Sequence, residues 1–82
     1  MMNVSVNFFG VQRKIVQQDK ICLELGNEAR VIDLLQHIRT SYPGLSLNEH
    51  SIMITVNNRV SSLDQNLNLN DNISIISHLG GG

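Results

Sequence analysis

Val31-Ile32-Asp33-Leu34-Leu35-Gln36-His37-Ile38-Arg39 has a different period from the chain on either side of it. Val31, Leu34, Leu35 and Ile38 are spaced by three or four, with Asp33, Gln36, His37 and Arg39 opposite them, which predicts an amphipathic helix. Asn27 or Glu28 is expected to supply acceptors and negative charge to its first turn. Tyr42-Pro43-Gly44 should end it, because a residue before proline is pushed out of helical dihedrals. Leu45 and Leu47 then tuck under a sheet.

That sheet is announced by alternation on both sides of the helix. Val4, Val6 and Phe8 share one face of a half-buried strand, with Ser5, Asn7 and Phe9 on the other, and Ile21, Leu23 and Leu25 repeat the pattern. The polar stretch from Gly10 to Lys20 makes these two an opening hairpin, with room for a short ordered turn at Val11, Ile15 and Val16. Ile52, Ile54 and Val56 alternate again, and Asn57-Asn58 tolerates the positive φ of a tight turn before Arg59-Val60. A loop punctuated by Leu63, Leu67 and Leu69, and rich in asparagine, should pack and lead to Asp71-Asn72. The last strand follows, with Ile73, Ile75 and Ser77 inward. One helix over one face of a mixed sheet of four to five strands is an α+β arrangement. Phe9 and Ile76 are apolar residues on the outward sides of their strands. If the first and last strands are neighbours, these two form an exposed patch.

The chain has 82 residues, so one small domain with shallow sites is expected and binding precedes chemistry among the function classes. Six basic and seven acidic residues are scattered, leaving no basic stripe for nucleic acid. No apolar run approaches membrane-spanning length, and no signal-peptide core is present, so neither a membrane nor export is expected and the location read is cytoplasmic. Cys22 is the single cysteine, which forbids an internal disulfide, and its strand position predicts a packed thiol. His37 and His50 are too far apart in the pattern to build a metal site, and His78 reads as a surface residue. Arg13 and Arg59 suit surface pairing.

After Ile75-Ile76-Ser77-His78-Leu79 come Gly80-Gly81-Gly82. Glycines lack a Cβ, so such a tail can thread a narrow channel and present its carbonyl carbon to a nucleophile. The chain therefore divides into a domain over 1–78 and a flexible glycine tail over 79–82.

Several segments together carry a family resemblance. Val6-Asn7-Phe8-Phe9-Gly10-Val11-Gln12-Arg13, Val31-Ile32-Asp33-Leu34-Leu35 with Tyr42-Pro43-Gly44-Leu45, Val56-Asn57-Asn58-Arg59-Val60 and Leu69-Asn70-Asp71-Asn72-Ile73 lie in the order and spacing of one family. The chain resembles the small, sulfur-carrying subunit of molybdopterin synthase, within the group that also holds the thiamine sulfur carrier and ubiquitin. Asn70-Asp71-Asn72 stands where Asp-Gly-Asp is usual, and Ser77-His78 where a Pro-Pro pair is usual. The resemblance implies a ubiquitin-like β-grasp fold and a non-catalytic, sulfur-donating subunit. It implies that Gly82 is adenylated and converted to a thiocarboxylate, with Gly80 and Gly81 providing reach. Phe9, Val60 and Ile76 match partner-contacting positions, and His78 and Leu79 join them at the root of the tail. The implied partners are an adenylating enzyme of the ubiquitin-activating type, a persulfide sulfur donor and the large subunit of molybdopterin synthase. No cofactor is expected on this chain; ATP is used by the activating partner. Alternative readings are a sulfur carrier for thiamine thiazole or another metabolite, a ubiquitin-like modifier joined to proteins through Gly82, and a plain binding module.

Overall fold

The computed structural model describes residues 1–45, 47–48 and 50–77. β1 (Met2–Phe8) leads through α1 (Gly10–Val16) into β2 (Lys20–Leu25), followed by α2 (Val31–Ser41), β3 (Ile52–Val56), β4 (Arg59–Val60) and β5 (Asn72–Ser77). The strands form one sheet in the order β2-β1-β5-β3-β4. β1 and β5 are parallel, whereas the β1–β2, β3–β5 and β3–β4 pairs are antiparallel. The first and last strands are thus interior neighbours, in a β-grasp arrangement.

The core forms where the two periodicities meet. Val4, Val6 and Phe8 from β1, Ile52, Ile54 and Val56 from β3, and Ile73 and Ile75 from β5 bury against Val31, Leu34, Leu35 and Ile38 of α2. Leu45 and Leu47 are buried as the sequence predicts, and Met2, Val16, Ile21, Leu25, Ala29 and Leu67 complete the cluster. The loop before β5 is tied to the start of α2, where helical N–H groups lack internal partners. Val31 and Ile32 donate to the carbonyls of Gln65 and Leu63, each at 3.0 Å, and Leu67 donates to that of Ala29 at 2.9 Å.

Four local expectations are corrected. Gly10–Val16 is a helix, where the sequence reads as a hairpin connection. Its buried positions are Gln12 and Val16, one turn apart, while the apolar Val11 and Ile15 lie largely outside, so the amphipathic signal is inverted. The start of α2 relies on Asp33, not Asn27 or Glu28: its carboxylate accepts the Arg30 N–H at 2.8 Å. Cys22 is exposed, because Ile21 and Leu25 take the inward side of β2 and leave the thiol on the other face. Leu69 is also exposed, although Leu67 beside it is buried.

Candidate functional site

The helix-free face of the sheet is read from its register, since residues directly opposite one another on paired strands share a face. Val60 lies opposite Thr55, Thr55 opposite Ser74, and Ser74 opposite Asn7. Met53 lies opposite Ile76, two positions nearer the end of β5. The middle of this face is polar and closed on itself: the Asn7 amide donates to Asn72 Oδ1 at 2.8 Å, to the Ile73 carbonyl at 3.1 Å and to Ser74 Oγ at 3.3 Å.

Apolar residues gather instead where β5 ends. The parallel register runs to Phe8 and Ile75, so one step further along both chains come Phe9 and Ile76. Phe9 is still extended, with φ −132° and ψ 156°, and ends the alternation before α1 turns the chain away. Gly10, the first residue of that helix, has φ 57°, a left-handed conformation in which a Cβ is costly. Phe9 is 49% exposed and Val60 71%, while Ile76 and Met53 are half-buried. A groove beside Val60 is lined by Ile52, Met53, Ile54, Ser61, Ser62 and Leu63. Of the residues singled out in the sequence, Phe9, Val60 and Ile76 therefore share the face free of helices. His78, Leu79, Gly80, Gly81 and Gly82 lie outside the described residues.

Ser77, the last described residue of β5, lies opposite the buried Ile52, on the inward side with Ile73 and Ile75 as the alternation predicts; it is exposed at the strand's end, and its hydroxyl accepts a hydrogen bond from Gln12 Nε2 at 2.9 Å. Gln12 is 5% exposed, and its Oε1 has no hydrogen-bond partner among the described residues. α1 is thereby fastened to the last residue of β5. Neither Gln12 nor Met53 stands out in the sequence. Met53 was in principle visible, because it must face away from Ile52 and Ile54, but its pairing with Ile76 is a long-range register that no local pattern encodes.

The apolar end of this face offers a contact surface. Among the described residues, no group of three or more His, Cys, Asp or Glu side chains could hold a metal. Arg13 pairs with Asp19 at 3.6 Å between two exposed side chains, a surface interaction of little energetic weight. No described helix is long and apolar enough to cross a membrane.

Comparison with known proteins places this geometry. A model of the ThiS family matches residues 6–82. A structure described as molybdopterin converting factor, subunit 1, from Pyrococcus furiosus is 26% identical, with a TM-score of 0.84 over 94% of this chain and 98% of that one. Small archaeal modifier protein 1 from Methanosarcina acetivorans is also 26% identical, with a TM-score of 0.81 over 100% and 98% of the two chains. The fold is shared as well with a chain of the complex of subunits 1 and 2 of molybdopterin-converting factor from Helicobacter pylori, at 23% identity, a TM-score of 0.64 and 93% coverage of each chain. Curated protein sequences give no significant match.

Proposed function

The chain belongs to the ThiS family, and on that premise we propose that it is a sulfur carrier acting as the small subunit of a molybdopterin synthase. The observation that carries this reading is the meeting of two features at one end of the sheet. β5 runs out at Ser77 toward Gly80-Gly81-Gly82, and Phe9, Met53 and Ile76 supply apolar surface beside that exit. A partner that grips the patch has the Gly82 carboxylate within the short span of the five residues that follow Ser77.

The chemistry belongs to the tail and the partners. An enzyme of the ubiquitin-activating type transfers AMP from ATP to the Gly82 carboxylate, releasing pyrophosphate and making the carbonyl carbon electrophilic. A persulfide attacks that carbon and AMP leaves. A second thiol then cleaves the sulfur–sulfur bond, leaving the sulfur on Gly82 as a thiocarboxylate and the donor as a disulfide. The thiocarboxylate is a strong nucleophile at neutral pH. Bound to the synthase large subunit, it delivers sulfur to a pterin precursor.

Incubation with an activating enzyme, ATP and a persulfide donor should raise the intact mass by about 16 units, the replacement of one oxygen by sulfur, and Gly82 deletion should abolish the shift. Turnover of the loaded chain with a molybdopterin synthase large subunit and precursor tests the finer assignment. A loaded chain that serves only a thiazole synthase would reassign the acceptor. The likeness to small archaeal modifier protein 1 supports a second reading, attachment to lysines of other proteins. Higher-mass conjugates that vanish on Gly82 deletion would establish it.

A further inference from the structure

At the opposite margin of the sheet, β2 is an edge strand, paired with β1 alone in the order β2-β1-β5-β3-β4. The Phe8 N–H donates to the Asp19 carbonyl at 2.8 Å, which fixes the phase of the antiparallel ladder. Ile21 and Leu23 then direct their backbone groups to β1, and Lys20, Cys22 and Glu24 direct theirs to the open edge. All three of these side chains are exposed, on the helix-free face. Opposite Lys20 and Glu24 on β1 stand the uncharged Asn7 and Asn3. The one salt bridge among the described residues, Arg13–Asp19, involves neither.

We propose that this edge pairs with the same edge of a second copy of the chain, antiparallel about a two-fold axis at Cys22. In that register Lys20 of each copy lies opposite Glu24 of the other, so both charge pairs are attractive. Ile21 lies opposite Leu23 on the inward side, where Leu23 is only partly buried in the single chain. The residues whose backbone groups face out, Lys20, Cys22 and Glu24, are the ones that become hydrogen-bonded pairs in this register, so the ladder continues in phase across the axis. An edge lysine ordinarily discourages such pairing. Here the glutamate four residues on, mirrored by the two-fold, converts that guard into a match. Two sheets become one, and β2 lies two strands from β5, so both tail exits stay free. The pairing is independent of the sulfur-carrier reading.

A single strand pair buries less than the roughly 1,000 Å² typical of stable complexes, so dissociation in the range of about 0.1–1 mM is expected. Sedimentation of the full chain over that range should show a monomer–dimer equilibrium, weakened by salt. Amide exchange should slow with concentration at Lys20, Cys22 and Glu24 and stay constant at Ile21 and Leu23. Lys20→Glu and Glu24→Lys each make both pairs repulsive and should weaken the dimer about tenfold, and the double swap should restore it. A chain monomeric to about 1 mM overturns the proposal and leaves the edge to an extended segment of another protein. A dimer indifferent to both single substitutions overturns it too, by placing the contact elsewhere.

Discussion

Among the described residues, Asp71 and Gln12 are the two buried polar side chains, and they differ in how well their hydrogen-bonding capacity is met. Asp71 accepts from the Asn57 amide at 2.8 Å and from the Asn68 N–H at 2.7 Å, so both carboxylate oxygens are engaged. Asp71→Ala removes both bonds and strands their donors, and should cost about 2–3 kcal/mol, read as a lower urea midpoint at unchanged slope. Gln12 has one bond and one orphan oxygen. Gln12→Leu gives up a bond of about 1 kcal/mol but also removes a buried group whose desolvation costs about 1–3 kcal/mol, so stability should hold or rise. A loss above about 2 kcal/mol in the same urea titration would mean that Oε1 is satisfied after all.

The elements show which sequence signals survive folding. Asn57-Asn58 predicts a two-residue turn, and both residues have positive φ, 54° and 70°. Both are exposed, yet they are not equivalent, because the Asn57 side chain donates to Asp71 and accepts the Asn72 N–H at 2.9 Å. Asn58→Gly should therefore stabilise by a few tenths of a kcal/mol, since glycine suits this position best, while Asn57→Gly should destabilise by about 1–2 kcal/mol through lost side-chain bonds. Thermal midpoints moving together would contradict that division. α2 and the strands were legible because their apolar residues fall at helical or alternating spacing. α1 was not, because a glutamine occupies its buried turn and a valine its exposed one. The exposure of Cys22 was legible in the alternation of Ile21, Leu23 and Leu25, which sets it on the opposite face; a position within a strand does not by itself pack a side chain.

At the scale of the molecule, the proposed docking patch and the proposed sulfur chemistry fall on different residues, which makes the proposed function divisible by experiment. Phe9 is half-exposed and lies outside β1, so Phe9→Ala should cost less than about 1 kcal/mol of stability. An aromatic anchor at an interface contributes far more to binding than to folding, and the same substitution should weaken association with the large subunit about tenfold to a hundredfold. Gly82 deletion should do the reverse, leaving the unfolding midpoint and the association within twofold of the parent while abolishing the mass gain of about 16 units. Calorimetric titration with the large subunit, run beside intact-mass analysis, separates the two effects. If Phe9→Ala binds like the parent, the apolar end of the sheet is not the grip, and the tail alone must carry recognition. The register explains why the first outcome is expected: Phe9 follows the interior strand β1 and Ile76 lies within its parallel neighbour β5, the middle strand, so the patch is held by two interior strands of the sheet. A docking surface on rigid interior strands fixes the origin from which the tail is presented, and few side chains are ordered on binding.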